Sequence, residues 1–213
     1  SSLNYTSGIT QEDYLKECLI YVDVVEKELD IKNDKFEFDQ ENSDKIKISF
    51  LSADFKIHSV SHFLKDMLKK IDKSIFEIHL ISTLKNTSQD DMSEELKKIV
   101  YKWHDVEDYS DNDLTNYLRS YKFDILFDLS GFTNGNRFEV LARRCAKIQI
   151  EWLGYNNSLG AKNIDYLITD KNLIKTDEHK FYKEKILYLP NIWNALSPPI
   201  QLPNIETKIN KNI

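Results

Sequence analysis

One histidine and two glycine-bearing runs carry the chemistry this chain could do. His58 closes the run Ser52-Ala-Asp-Phe-Lys-Ile-His58, which follows a short apolar stretch. An imidazole titrates near neutrality, so at a strand end it could take a proton from a hydroxyl nucleophile. The competing role is that of an exposed loop or helix-capping histidine. Four of the five glycines fall between Gly131 and Gly160. Gly131-Phe-Thr-Asn-Gly135 is neither a dinucleotide fingerprint nor a phosphate loop. Its glycines would let backbone N–H groups approach a ligand oxygen, with the Thr133 hydroxyl beside them; otherwise it is a tight turn into a helix. Trp152-Leu153-Gly154-Tyr155 exposes main chain between two aromatic rings, a way to present a flat surface to a sugar or base. The alternative is a core tryptophan and a glycine that only turns the chain.

Other chemistry-bearing patterns point to structure. His62 stands four residues after His58, but no glutamate follows in metalloprotease spacing and no third ligand is evident, so no metal site is expected. Asp111-Asn112-Asp113 is a triplet that can hold a metal against a diphosphate. It sits in an acidic stretch just before a helical pattern, where carboxylates favourably meet a helix N-terminus. Cys18 and Cys145 fit no zinc or redox spacing and lie in apolar periodic stretches, which predicts buried reduced thiols in a cytoplasmic protein. A net charge of −6 argues against a general nucleic-acid or membrane-surface binder. No apolar run approaches the ~18 residues of a membrane span, and no signal peptide is seen.

The elements that must position these residues alternate. A capping box at Thr10 and Asp13 opens an amphipathic helix over 10–29, with Tyr14, Cys18, Val22, Val25 and Leu29 at helical spacing. Residues 30–44 read as a polar linker. Strands are predicted at 46–51, 76–81, 101–106, 125–129, 148–152, 166–169 and 186–189, and helices at 62–71, 92–100, 114–121 and 138–145. Strands alternating with helices predict an α/β fold, a Rossmann-like parallel sheet with helices on both faces. Both glycine runs then fall beyond the carboxyl ends of strands, where open α/β sheets bind ligands. All four prolines lie in the last twenty-four residues, which reads as an extended linker or domain edge.

Taken in order, these runs carry a resemblance. Ile48-Ser-Phe-Leu-Ser-Ala-Asp-Phe-Lys-Ile-His58, Ile125-Leu-Phe-Asp-Leu-Ser-Gly-Phe-Thr133, Ala142-Arg-Arg-Cys-Ala-Lys-Ile-Gln149, Trp152-Leu-Gly-Tyr155 and Asp165-Tyr-Leu-Ile-Thr-Asp170 resemble the O-linked N-acetylglucosamine transferases. These are the family 41 glycosyltransferases, with their bacterial relatives and the SPINDLY-type plant fucosyltransferases. The matches run from about residue 46 to 199. Ser2-Leu-Asn-Tyr5 and the helix behind it resemble the family's bridge to a tetratricopeptide array.

The resemblance implies a GT-B enzyme of two Rossmann-like lobes that needs no metal or other cofactor. It implies transfer of a sugar, N-acetylglucosamine in most of the family, from a UDP-sugar to Ser/Thr hydroxyls of an acceptor protein, with inversion. It places His58 at a histidine discussed as a base or acceptor-side contact. It places Leu153, Gly154 and Tyr155 on the donor-sugar loop, and Gly131 and Thr133 on the glycine loop of the cleft. Asn156 stands where a proline is usual, and Asn116 stands near an aspartate once proposed as the base. The implied division is a lead-in helix and linker over 1–44, the N-terminal catalytic lobe over 45–199, and a tail over 200–213 toward a second lobe. A tetratricopeptide array would also lie outside this chain. One lobe alone is expected to be inactive. A stand-alone, non-catalytic binding or interaction module is the alternative from a different class.

Overall fold

The computed structural model describes residues 6–38 and 44–196; the runs at Ser2–Tyr5 and Ser197–Pro199, Pro203 and the 200–213 tail lie outside them. Helix α1 (Gln11–Glu28) comes first. Then β1 (Ile46–Ser52), α2 (Ser59–Lys70), β2 (Phe76–Ser82), α3 (Asp91–Ile99), β3 (Lys102–Asp105) and α4 (Asp111–Tyr121) alternate. The series closes with β4 (Ile125–Asp128), α5 (Phe138–Ala142), β5 (Ile148–Glu151), β6 (Tyr166–Thr169) and β7 (Lys185–Tyr188). The seven strands form one sheet in the order β3-β2-β1-β4-β5-β6-β7, and every pair is parallel. This is the predicted Rossmann-like sheet.

Strand alternation divides the core into two layers. Ile48 and Phe50 of β1 and Ile78 and Leu80 of β2 pack with Leu64 and Leu68 of α2 and Leu96 of α3. Leu51, Ile81 and Leu126 point the other way, to Leu114 and Leu118 of α4 and Leu141 of α5. Helices therefore cover both faces, as the apolar parallel strands require. Among the described residues, no helix is long and apolar enough to cross a membrane.

Helix α1 packs into the second of these layers. Tyr14, Cys18, Val22 and Val25 form one buried stripe, and Thr10 and Asp13 make the expected capping box. The Tyr14 hydroxyl meets the Tyr155 hydroxyl at 2.5 Å and donates to the Ser158 carbonyl at 3.2 Å. Gly160, at φ 71°, lies so close that an added Cβ would sit 3.1 Å from the Cys18 sulfur. Both cysteines are buried and unbridged. The segment after α1 is tied down as well. Arg119 of α4 clasps the Asp34 carboxylate with two bonds of 2.9 Å and stacks over the Phe36 ring.

Helix α4 begins at Asp111 rather than 114, because Ser110 caps it, and two other helix boundaries differ from expectation for local reasons. Helix α2 begins at Ser59 rather than near 62, because His58 itself caps it. Helix α5 stops at Ala142 instead of running to 145. Continuation would bond the Cys145 N–H to the Leu141 carbonyl. The Gln149 side chain separates that pair by accepting from the first at 2.9 Å and donating to the second at 2.8 Å. Two short 3₁₀ turns, Asn86–Ser88 and Thr176–Phe181, carry no apolar periodicity and were not foreseen.

Replacing Tyr14 with Phe tests how α1 is docked. The lost hydroxyl should lower stability to urea unfolding by about 1 kcal/mol, the usual scale for one buried hydrogen bond. An unchanged unfolding midpoint would show that the apolar stripe alone holds the helix.

Candidate functional site

The sheet order places β1 beside β4, while β2 and β3 run to one side and β5 to β7 to the other. Connections leaving the carboxyl ends of β1 and β4 diverge there, and a crevice opens between them. A cavity of about 510 Å³ lies at this point. The segment after β1 contributes Asp54, Lys56 and His58; the segment after β2, Thr83 and Lys85. Thr133 to Gly135 follow β4, and Leu153 and Gly154 follow β5. A larger hollow of about 630 Å³ lies against α1 and the segment after it, lined by Glu26, Asp34, Lys35 and Arg144. Those groups are largely tied in ion pairs, and no strand end opens into it.

The β1 loop is held rigidly. Ser52 Oγ accepts the Asp54 N–H at 3.0 Å, and Ser61 Oγ donates to the Asp54 carbonyl at 2.8 Å. Asp90, which caps α3, accepts the Ile57 N–H at 2.7 Å. Its burial opposes ionisation, but three backbone N–H donors prevail and hold its carboxyl below the usual range. His58 ends this loop with a half-exposed side chain. Its Nδ1 accepts the Val60 N–H at 3.3 Å and lies 3.8 Å from an Asp54 oxygen. A neutral imidazole that accepts at Nδ1 carries its proton on Nε2. With Nδ1 held in this way, Nε2 is the His58 ring nitrogen left for a ligand at the cavity that it lines.

The glycine run after β4 forms the floor. Gly131 takes φ 52°, and its N–H is already given to the Asp128 carboxylate at 2.8 Å. An added Cβ there would collide with the Tyr155 ring. Thr133 also turns back, bonding the Ser130 carbonyl through both N–H and hydroxyl. Gly135, at φ 77°, lies so near that an added Cβ would sit 2.7 Å from the Ala53 Cβ. After β5, Leu153 adopts φ 80°, a left-handed conformation that costs a branched residue roughly 1–2 kcal/mol and is concentrated at functional sites. Gly154 crosses the Leu129 carbonyl so closely that any side chain would overlap it.

Of the six residues singled out from sequence, the structure brings His58, Thr133, Leu153 and Gly154 onto one cavity. Gly131 and Tyr155 lie outside its lining. Tyr155 is buried beneath, in the layer shared with α1, because its hydroxyl pairs with Tyr14. Trp152 turns to the opposite layer and bonds the Trp193 carbonyl at 2.9 Å. The two rings therefore present no flat surface. The N–H groups of Gly131 and Gly154 are engaged too, the first by the Asp128 carboxylate and the second by the Trp152 carbonyl at 3.1 Å. The acidic triplet is engaged by Arg137, Arg143 and Ser110, in keeping with a capping role. Gly135, which closes the glycine run, lines the cavity as well, whereas Lys56, Thr83 and Lys85 were missed as lining residues. Thr83 and Lys85 follow a strand end just as His58 does, so the same rule would have found them.

The chain was compared with known proteins. The family model described as Glycosyl transferase family 41 matches residues 11–197. A rice protein named probable UDP-N-acetylglucosamine–peptide N-acetylglucosaminyltransferase SPINDLY is 32% identical over 155 residues, 71% of this chain and 16% of the relative. An Arabidopsis thaliana protein of that activity name, SEC, is 26% identical over 149 residues, 70% of this chain and 15% of its own length. The chain thus spans about a sixth of the curated relatives it matches. A mutant O-GlcNAc transferase of Thermobaculum terrenum superposes with a TM-score of 0.86 at 25% identity, covering 95% of this chain and 38% of the other.

Gly154→Ala tests the close crossing at the cavity wall. The overlap with Leu129 should force the 152–155 segment to move and should destabilise the protein by about 1–3 kcal/mol, the usual cost of overpacking. Wild-type stability together with unshifted amide resonances for Leu129 and Leu153 would show that the crossing is loose.

Proposed function

The chain belongs to glycosyl transferase family 41, and from that premise we propose that residues 45–199 act as the N-terminal catalytic lobe of a protein O-sugar transferase. The donor is a UDP-sugar, N-acetylglucosamine by analogy with the relatives' names, and the acceptor is a Ser or Thr hydroxyl of a protein. In the inverting reaction the acceptor oxygen bonds the anomeric carbon as the bond to the diphosphate breaks, the electron pair leaves with the UDP, and the hydroxyl proton passes to the departing diphosphate. The observation that carries the reading is the gathering of His58, Thr133, Leu153 and Gly154 on one cavity at the reversal of strand order.

The geometry supports a division of labour. With Nδ1 engaged, His58 donates through Nε2–H to a sugar or acceptor oxygen; it positions that oxygen and does not receive the hydroxyl proton. The strained Leu153 and its neighbour Gly154 form the wall against the sugar. Gly131 and Tyr155 act from below as supports. The N–H groups of Gly131, Thr133 and Gly154 are spent internally, which favours capture of most of the diphosphate charge by groups outside this lobe. Lys56 and Lys85 add positive charge at the rim. We assign no metal role, since the residues of the acidic triplet are committed to Arg137, Arg143 and Ser110. A second catalytic lobe and a helical repeat array are the partners the reading requires. Two unbridged buried cysteines favour a cytoplasmic setting.

Variants of His58 in the full-length natural protein test this directly, with UDP-N-acetylglucosamine and an acceptor peptide. His58→Ala should lower kcat about 10- to 1000-fold, up to the range for loss of one hydrogen-bond donor at a reacting centre, while loss of its cap costs about 0.5–2 kcal/mol in stability. His58→Gln, whose amide can donate in place of Nε2, should recover part of the rate. Unaltered transfer by the alanine variant would remove His58 from the reaction. A glutamine variant as slow as alanine would contradict the donor role.

A further inference from the structure

Asp128 and Glu151 are the last residues of β4 and β5, and they are partners in the strand register. In a parallel pair, register partners project to the same face. Both are buried, at 2% and 0% exposure. Asp128 stands five residues before the lining segment that starts at Thr133, and Glu151 two before the one that starts at Leu153. Asp128 is well supplied with donors: the Gly131 N–H reaches it at 2.8 Å and the Ser130 N–H at 3.3 Å. Glu151 is not. Neither of its oxygens meets a backbone N–H, a hydroxyl or a cation among the described residues; the group it faces is the Asp128 carboxyl.

One other titratable group faces this pair, Glu184, which comes just before β7. It is already satisfied by the Ser158 hydroxyl at 2.7 Å and the N–H groups of Leu159 and Gly160 at 2.8 and 3.0 Å. It can give Glu151 nothing but repulsion. Two buried carboxylates side by side cannot both stay ionised without a compensating charge.

We infer that Asp128 and Glu151 share one proton at neutral pH, and that the resulting carboxyl–carboxylate hydrogen bond ties the glycine loop to the Leu153–Gly154 segment beneath the cavity. The proton resides on the side with no donors, Glu151, whose O–H then donates to Asp128. Asp128 keeps the negative charge, and with it the two N–H bonds that shape the loop at Gly131. Burial pushes both groups in this sense, Asp128 up to about 6 and Glu151 well above the carboxylate range. The proton belongs to the pair, as in other strongly coupled sites. Both residues are thus positioning residues for the cavity wall, acting through the backbone.

The consequence is a proton held by the folded chain that the unfolded chain has released. A raised folded-state pKa gives stability that is complete below the unfolded value and lost as pH rises through the folded one. Urea unfolding of this chain should therefore be compared with that of Glu151→Gln, whose amide can still donate to Asp128 but cannot titrate. From about pH 6 to about pH 8 the wild-type unfolding constant should rise more steeply, by up to tenfold per pH unit for one proton. Contributions of Glu184 and other groups largely cancel in the comparison. Infrared spectra at neutral pH should show a protonated-carboxyl C=O band in the wild type that the Gln variant lacks. The Gly131 amide, corrected for the intrinsic rise of base-catalysed exchange with pH, should lose protection at high pH in the wild type alone. Parallel pH dependences in the two proteins, or a band the substitution leaves intact, would overturn the shared proton. Should the variant fail to fold, the wild-type infrared spectrum decides, because absence of the band at neutral pH leaves no proton to share. None of these readouts uses sugar transfer, so they stand or fall apart from the proposed activity.

Discussion

The four-residue pairing of β1 with β4 is the contact on which the rest of the molecule depends. Leu51 lies opposite Asp128 at the carboxyl end of that pair. From β1 the chain winds outward through β2 and β3, and from β4 it winds the other way to β7. Right-handed crossovers put the helices of the two halves on opposite faces, which the two core layers reflect. The same reversal leaves the strand ends uncovered. A cavity there is a consequence of connectivity, and the side chains that line it are those the sequence places just after each strand.

The walls of that cavity stay open through close backbone contact. Gly154 can cross the Leu129 carbonyl only because it lacks a side chain, and Gly131 can rest on the Tyr155 ring for the same reason. These two contacts join the loop after β4 to the loop after β5. Beneath them lies a carboxyl pair with no counter-cation among the described residues, an expensive arrangement for two buried acids. Above them Leu153 carries a left-handed backbone. Strain and buried charge thus sit within a few residues of one another at the crevice, which is where a fold tolerates them when geometry matters more than stability.

Much of this could be read from the sequence, for identifiable reasons. Apolar alternation located the strands to within a residue or two, and the Thr10 capping box marked the first helix. Strand ends followed by glycine marked the crevice. What escaped notice were contacts between residues far apart in the chain. Nothing local to Tyr155 shows that its hydroxyl is claimed by Tyr14, 141 positions away. Nothing in the run at 138–145 shows that Gln149 will divide the last turn of its helix. The pairing of Asp128 with Glu151 required the register of two strands. The expectation that these glycine N–H groups face a ligand met a local obstacle instead: Gly131 turns back to Asp128, three residues before it, and Gly154 to Trp152, two residues before it.

The central claim is that the crevice at the strand reversal is where the transferred sugar and its acceptor meet. Amide hydrogen exchange on the full-length natural protein, with and without UDP-N-acetylglucosamine and acceptor peptide, tests it most directly. Protection should appear in the segments 53–58, 133–135 and 152–155, with little change in the hollow at 23–37. Saturable binding that leaves those three segments unprotected, or that protects 23–37 instead, would contradict the account.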